Sequence, residues 1–273
     1  MIDVHPPHHA AATRREFFTH IATIVVGLLI AIGLEQSVEA LHHHHQRHQL
    51  EADLRAEGIR NLHTAITTLN FCDWMAQWQT LQAQELDRAA AQGRTPEYIQ
   101  PPAGRPAPFS RLSDAVWTVA QTSTMLSLLP RSEAERYAHD YYDVRVATEQ
   151  LERMNELQHE RAEAVDAAVV DPNTGPLAVP TNSTYDLSRL NKEQLIQFRR
   201  IASQMIVTAR NEAGYTLTMY ALTWGTLNGQ SDDENTRRRS EVNAAFFHDG
   251  GTAGLLKKFP IPAEDTPAPE ENK

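Results

Sequence analysis

The chain has 273 residues, 41% of them apolar and 22% charged, enough for one folded core once a membrane-spanning stretch is set aside. Its net charge of −10, with 23 Lys/Arg against 31 Asp/Glu from residue 41 onward, argues against nonspecific binding to anionic lipid and leaves nucleic acid outside the expected partners. The single cysteine, Cys72, excludes an intrachain disulfide, and its neighbours Phe71, Trp74, Met75 and Trp78 point to a buried thiol, with a bridge between two chains as the alternative.

Arg14 and Arg15 precede an uncharged run from Phe17 to Leu34, and Glu35 comes directly after it. As a helix rising 1.5 Å per residue this run covers about 27 Å, close to the ~30 Å of a bilayer's hydrocarbon core. From Ile21 to Leu34 only Thr23 is polar, so the run lacks the polar face of a helix in a water-soluble domain. Residues 17–34 are therefore predicted to be a transmembrane helix in the lipid bilayer. The arginines ahead of it predict a cytoplasmic N-terminal segment over residues 1–16 and export of the chain beyond the span. Thr13 to Phe18 (TRREFF) resembles a twin-arginine export signal. The apolar run is longer than secretory signals usually carry, and Glu35 and Glu39 occupy the cleavage region, so an uncleaved signal-anchor is expected. Thr23, Gly27 and Ala31, four residues apart, form a stripe of small residues on one face, an arrangement that lets two membrane helices approach and predicts a homo-oligomer.

Helical patterning dominates the chain beyond the span. Residues 35–92 hold no proline and only one glycine, Gly58, while Val38, Leu41, Leu50, Leu54, Leu62, Ile66, Leu69 and Met75 recur mostly at helical steps. A membrane-proximal long helix is predicted there, with Gly58 as a kink or a close contact. Residues 93–109 carry five prolines and predict a loop. A second helix is expected over residues 110–129, stopped by Pro130. A third opens at Ser132, with Glu135 completing a capping box. Tyr137, Val144, Leu151 and Val165 fall at one heptad position of this third helix, and Ala134, Tyr141, Thr148, Ala162 and Val169 at its partner, giving a seam that Asn155 and Gln158 interrupt. Residues 171–176 are expected to end it. A fourth long helix runs from Asn191 to about Leu227, with Asn191 and Gln194 as its capping box. A short solvated helix is expected around Asp232–Arg239, and residues 259–273 read as a disordered acidic tail. The fold class is thus all-α: an N-terminal transmembrane helix continuing into an extracytoplasmic bundle of about four long helices, with residues 110–258 as the remainder of that bundle.

Histidines at 42, 43, 44, 45 and 48 form the one chemically dense cluster. On a helix, His44 and His48 lie four residues apart and His45 and His48 three apart, so either pair can present two imidazoles to one zinc or copper ion, and a second copy across a dimer would supply four ligands. The other readings are amphipathic anchoring in the headgroup region and a pH-sensitive surface. His5, His8 and His9 are expected across the membrane from this cluster. Glu39/His42 and Glu156/His159 both have the Glu-x-x-His spacing of di-iron bundles, but the second pair lies beside Glu160 and Glu163 on a charged face. Glu163 stands where a zinc-protease motif needs histidine, and no phosphate loop, dinucleotide-binding glycine pattern, nucleophile elbow or Cys-x-x-Cys pair occurs.

The stretch EFFTHIATIVVGLLIAIGLEQSVEALHHHHQRHQLEADLRAE, residues 16–57, resembles an uncharacterised group of bacterial single-span membrane proteins that share a Gly-Leu-Glu-Gln exit from the span followed by a His-rich helix. The resemblance implies a bacterial inner-membrane protein with a helical domain in the periplasm and carries no catalytic residue. The expectation is a scaffold or interaction protein for an unknown envelope partner, with no catalytic residue and no cofactor. The alternative is a metal-binding or pH-sensing module at His44, His45 and His48.

Overall fold

A single helix, α1 (Arg14–Gln92), carries the chain from the apolar run through the predicted membrane-proximal segment in the computed structural model, which describes residues 14–107, 110–170, 185–230 and 232–263. The chain divides into two compact units, Met1–Glu51 and Ala52–Lys273. The described residues form six α-helices and contain no strand beyond one isolated antiparallel bridge, Val169 to Tyr185.

In the first unit, every described side chain from residue 17 to residue 34 is exposed, including Ile24 at 69% and Leu28 at 60%. This helix is long and apolar enough to cross a membrane. Its hydroxyls need no outside partner: Thr19 donates to the Arg15 carbonyl at 2.9 Å, Thr23 to that of Thr19 at 2.9 Å, and Ser37 to that of Gly33 at 2.7 Å. Bonding back to the carbonyl four residues earlier lets a polar side chain sit in a medium that offers no hydrogen bonds.

In the second unit the same helix is buried over a wide arc, through Leu54, Leu62, Leu69, Cys72, Met75, Trp78 and Leu86. Gly58 marks a close contact: a Cβ there would meet Thr223 Cγ2 at 3.3 Å and Leu227 Cδ2 at 3.4 Å. The proline-rich loop folds back along α1. Trp74 Nε1 donates to the Pro102 carbonyl at 3.0 Å and Trp78 Nε1 to that of Ile99 at 2.9 Å, while the Ile99 and Glu97 amides donate to Gln82 and Glu85. Prolines deprive the loop of donors, so side chains of the helix hold it.

The second predicted helix is much shorter than residues 110–129. α2 covers Ala115–Thr122 only, and a 3₁₀ turn, Thr124–Leu128, comes next. Ser123 takes an extended conformation and accepts the Met125 amide on its hydroxyl, an alternative to helix that a Thr/Ser-rich sequence offers its own backbone. Apolar Val119 on this short helix is 59% exposed. α3 (Arg131–Val165) begins at Pro130 with no side-chain cap, so the box expected from Ser132 and Glu135 is not formed; Glu135 instead accepts from Arg131 at 2.8 Å. The heptad seam holds from Tyr137 to Leu151. Beyond it Val165 keeps its seam position in the core, while Met154, Leu157, Arg161 and Ala164 are buried off the seam and Asn155 is exposed, because a straight helix drifts away from a 3.5-residue repeat. The loop expected at residues 171–176 lies outside the described residues.

α4 (Lys192–Leu227) starts where predicted, with both halves of the Asn191/Gln194 capping box in place. It packs along α3, and α5 (Asp232–His248) packs against it in turn, followed by α6 (Thr252–Lys258). At the start of α5 the side chains of Asp232 and Asp233 lie outside the described ones. Arg238 sits over the Trp224 ring, 4.8 Å from its centroid, and Arg239 faces Asp143 at 3.8 Å. The first residues of the tail expected over 259–273 pack against α4: Phe259 is buried, its carbonyl accepts the Tyr220 hydroxyl at 2.7 Å, and the Pro260 carbonyl accepts Trp224 Nε1 at 2.8 Å. Residues 264–273 lie outside the described residues.

Candidate functional site

The histidine cluster lies on the exposed flank of α1 within the first unit. The helix brings His44 and His48 together: their Nε2 atoms are 3.1 Å apart and the rings meet edge to face. His48 Nδ1 lies 3.4 Å from Glu51 Oε2, and Arg47 pairs with the other oxygen of that carboxylate. His45 does not join them, and among the described residues no group of three or more His, Cys, Asp or Glu side chains converges as a metal-ligand set. His5, His8 and His9 lie outside the described residues.

Thr23, Gly27 and Ala31 lie on the exposed surface of α1, and a Cβ on Gly27 would meet nothing within 4 Å. The Glu-x-x-His pairs come to nothing as a centre. Glu156 accepts from Arg153 at 2.8 Å, while exposed His159 turns its Nδ1 to the Asn155 carbonyl at 2.8 Å.

Within the second unit, composition gives no sign of several buried ionisable groups. Glu57 is fully buried. Its Oε2 accepts the Tyr141 hydroxyl at 2.6 Å, and its Oε1 accepts the Ser113 hydroxyl at 2.6 Å and the Val116 amide at 3.1 Å. One carboxylate thus caps α2 and ties α1 to α3. Asn61 completes the attachment with two 2.8 Å bonds to the Ser113 backbone. Asp140, one residue before Tyr141, accepts the Thr223 hydroxyl at 2.5 Å; burial pushes its carboxyl up to about 7, with Asp143 adding to the rise and Thr223 opposing it. Glu212 on α4 is pushed up to about 7 for the same reason, opposed by Thr216, and its Oε2 has no partner among the described residues. Burial, then Glu212 and Asp73, raise the Cys72 thiol well above its ordinary value, so it is a protonated core side chain rather than a nucleophile. Tyr141 stacks on Trp117 at 5.3 Å, and burial followed by Glu57 raises its hydroxyl pKa, which keeps it a donor.

Arg161 is 5% exposed and meets aromatic faces in place of an acid. Its guanidinium lies 4.3 Å from the Trp78 ring centroid and 5.6 Å from that of Phe198, and it donates to the Tyr98 hydroxyl at 2.6 Å. Cation–π attraction in a desolvated site offsets part of the cost of burying the charge.

These groups lie on the apolar stripes the sequence displays. Glu57 and Asn61 continue the steps of Leu50 and Leu54, Glu212 comes after Met205 and Ala209, and Arg161 after Met154 and Leu157. A polar residue at an apolar step is the signal that finds them. A groove of about 430 Å³ runs between α1, α4 and α5, with Ala76, Ala209 and Ala213 among its lining and Leu81 and Phe247 exposed at its edge. Its charged lining residues are Asp73 and Arg210, too few for convergent acid–base chemistry. No protein-family model, curated protein or solved structure matches this chain.

Proposed function

We propose that this chain is a single-pass helical scaffold of the bacterial inner membrane, with a cytoplasmic N-terminus and a periplasmic helical unit that engages another envelope protein. One observation carries the reading. Residues 17–34 form uninterrupted helix with every described side chain exposed and both threonines, Thr19 and Thr23, bonded to their own backbone. Roughly 20 predominantly apolar residues in that state match a hydrocarbon solvent and are costly in water.

Arg14 and Arg15 ahead of the span favour retention of the N-terminus in the cytoplasm. In the second unit α1, α3, α4 and the shorter α5 make the bundle, and buried polar groups such as Glu57, Asn61 and Asp140 tie its helices and loops together. The groove between α1, α4 and α5, with Leu81 and Phe247 at its rim, supports the interaction role, since exposed apolar side chains beside a groove are the material of partner surfaces.

Fractionation and protease accessibility test the reading together. The full chain with a C-terminal tag is expected in membranes, resistant to alkaline carbonate and released by detergent, and protease added to spheroplasts is expected to remove the tagged unit. Recovery in the soluble fraction with the span retained, or a protected C-terminal unit, overturns it.

A further inference from the structure

His44 and His48 are exposed, so burial does not account for their approach. Two imidazole nitrogens bound to one tetrahedral zinc at about 2.0–2.1 Å stand roughly 3.3 Å apart. The 3.1 Å between the two Nε2 atoms is within a few tenths of an ångström of that spacing. Behind His48, Glu51 faces Nδ1 at 3.4 Å, and Arg47 fixes the carboxylate from its other side. A carboxylate at Nδ1 holds the proton there and leaves the Nε2 lone pair free, which prepares that nitrogen to bind a metal.

One chain offers only these two nitrogens, because no third ligand converges on them among the described residues. The sequence supplies a means of doubling them. His44 lies three heptads after Thr23, and His48 three heptads after Gly27, on one continuous helix. In a left-handed parallel pair, where facing residues repeat every 3.5 positions, a seam through Thr23 and Gly27 continues through Ile30, Leu34, Ser37 and Leu41 to His44 and His48.

We propose that His44 and His48, oriented by Glu51, form half of a zinc or copper(II) site that two copies of the chain complete with four imidazole nitrogens. Each neutral ring gives its Nε2 lone pair. With the ring protons on Nδ1, both Nε2 lone pairs face the metal from the same side of the helix. His45 takes no part.

The test is a cobalt(II) titration of the full-length protein in detergent micelles, read by the absorption of tetrahedral cobalt and by displacement with zinc. The expected result is one cobalt for two chains. Changing His44→Ala or His48→Ala should abolish the tetrahedral band, and His45→Ala should leave it unchanged. Glu51→Gln should weaken binding about 10- to 100-fold. Circular dichroism should show the same helix content in all variants, since the changed side chains lie on an exposed flank. No tetrahedral band in the unaltered protein, an unchanged band in the His44→Ala/His48→Ala double variant, or one tetrahedral cobalt per chain would each overturn the proposal.

Discussion

Two stretches of α1 share one helix and meet opposite surroundings. Residues 17–34 and the stretch from Leu54 to Leu86 are both helical and both rich in Leu, Ile and aromatic side chains, yet the first buries none of them and the second buries most. The difference lies in what interrupts the apolar residues. The first stretch is apolar on all sides, which suits a solvent that is apolar on all sides. The second alternates with Arg60, His63, Asn70, Asp73, Gln77 and Gln84 on an exposed flank and sets polar anchors such as Glu57 and Gln82 into its buried arc. Helices and loops can grip an arc of that kind.

The strongest way to break the comparison is to make the same truncation in both stretches. Trp78 is fully buried, donates to the Ile99 carbonyl and roofs the Arg161 guanidinium. Trp78→Ala should lower the stability of the second unit by about 3–5 kcal/mol, the range for large aromatic truncations in a core. Leu28→Ala, at a position 60% exposed, should leave the melting temperature of that unit unchanged. A charge reverses the ranking. Ile24→Arg should cost about 2.5–3.5 kcal/mol of membrane insertion and shift protein into the soluble fraction, again without altering the melting of the unit. Equal thermal destabilisation by Leu28→Ala and Trp78→Ala would show that the first stretch is packed against protein.

A second contrast is electrostatic. Asp140 and Glu212 both hold carboxyls raised to about 7 by burial. Asp140 faces Thr223 from α4 and Asp143 from its own helix, and Arg239 from α5 faces Asp143; Glu212 faces Thr216 from its own helix and Cys72 from α1. Between about pH 4 and pH 7 the folded state holds protons on these groups that the unfolded state has released. The stabilisation is therefore full below the unfolded pKa values and declines as pH rises, by up to about 1.4 kcal/mol per pH unit for each group. Melting temperature should be higher at pH 5 than at pH 8. Asp140→Asn with Glu212→Gln should flatten that dependence, and an unchanged slope in the double variant would remove these carboxyls as its cause.

Most of the fold is legible in the sequence wherever one strong local signal acts alone. The apolar run, the proline-rich loop and the Asn191/Gln194 capping box all appear where their residues place them. Legibility fails where a tertiary contact competes. Residues 110–129 carry a helical apolar pattern, but Ser113 and the Val116 amide are taken by Glu57, far away in sequence, and Ser123 caps a 3₁₀ turn. Nothing in the local pattern reveals that carboxylate. Spacing alone admits either His44 or His45 beside His48, and in the structure it is the His44 ring that meets His48. The buried acids and Arg161 are missed for a different reason: their place on the apolar stripes is visible in the sequence, but partners such as Tyr141 for Glu57, Thr223 for Asp140 and Tyr98 for Arg161 lie on other elements.

The finest version of the comparison uses two glycines of the same helix. At Gly58 a methyl group would gain up to about 1 kcal/mol of helix propensity. It would also press on Thr223 Cγ2 at 3.3 Å and Leu227 Cδ2 at 3.4 Å. Thr223 cannot swing away freely, because its hydroxyl is committed to Asp140. Overpacking therefore outweighs propensity, and Gly58→Ala should destabilise the second unit by about 1 kcal/mol net in thermal or urea unfolding. At Gly27 nothing stands within 4 Å, so Gly27→Ala has no such penalty within the chain. If two copies meet on the Thr23, Gly27, Ala31 stripe, a larger residue there holds the backbones apart, and Gly27→Leu should weaken self-association in detergent while the melting of the second unit stays fixed. Self-association untouched by Gly27→Leu would free that stripe of any pairing role and leave Gly58 as the one of these two glycines that a close contact requires.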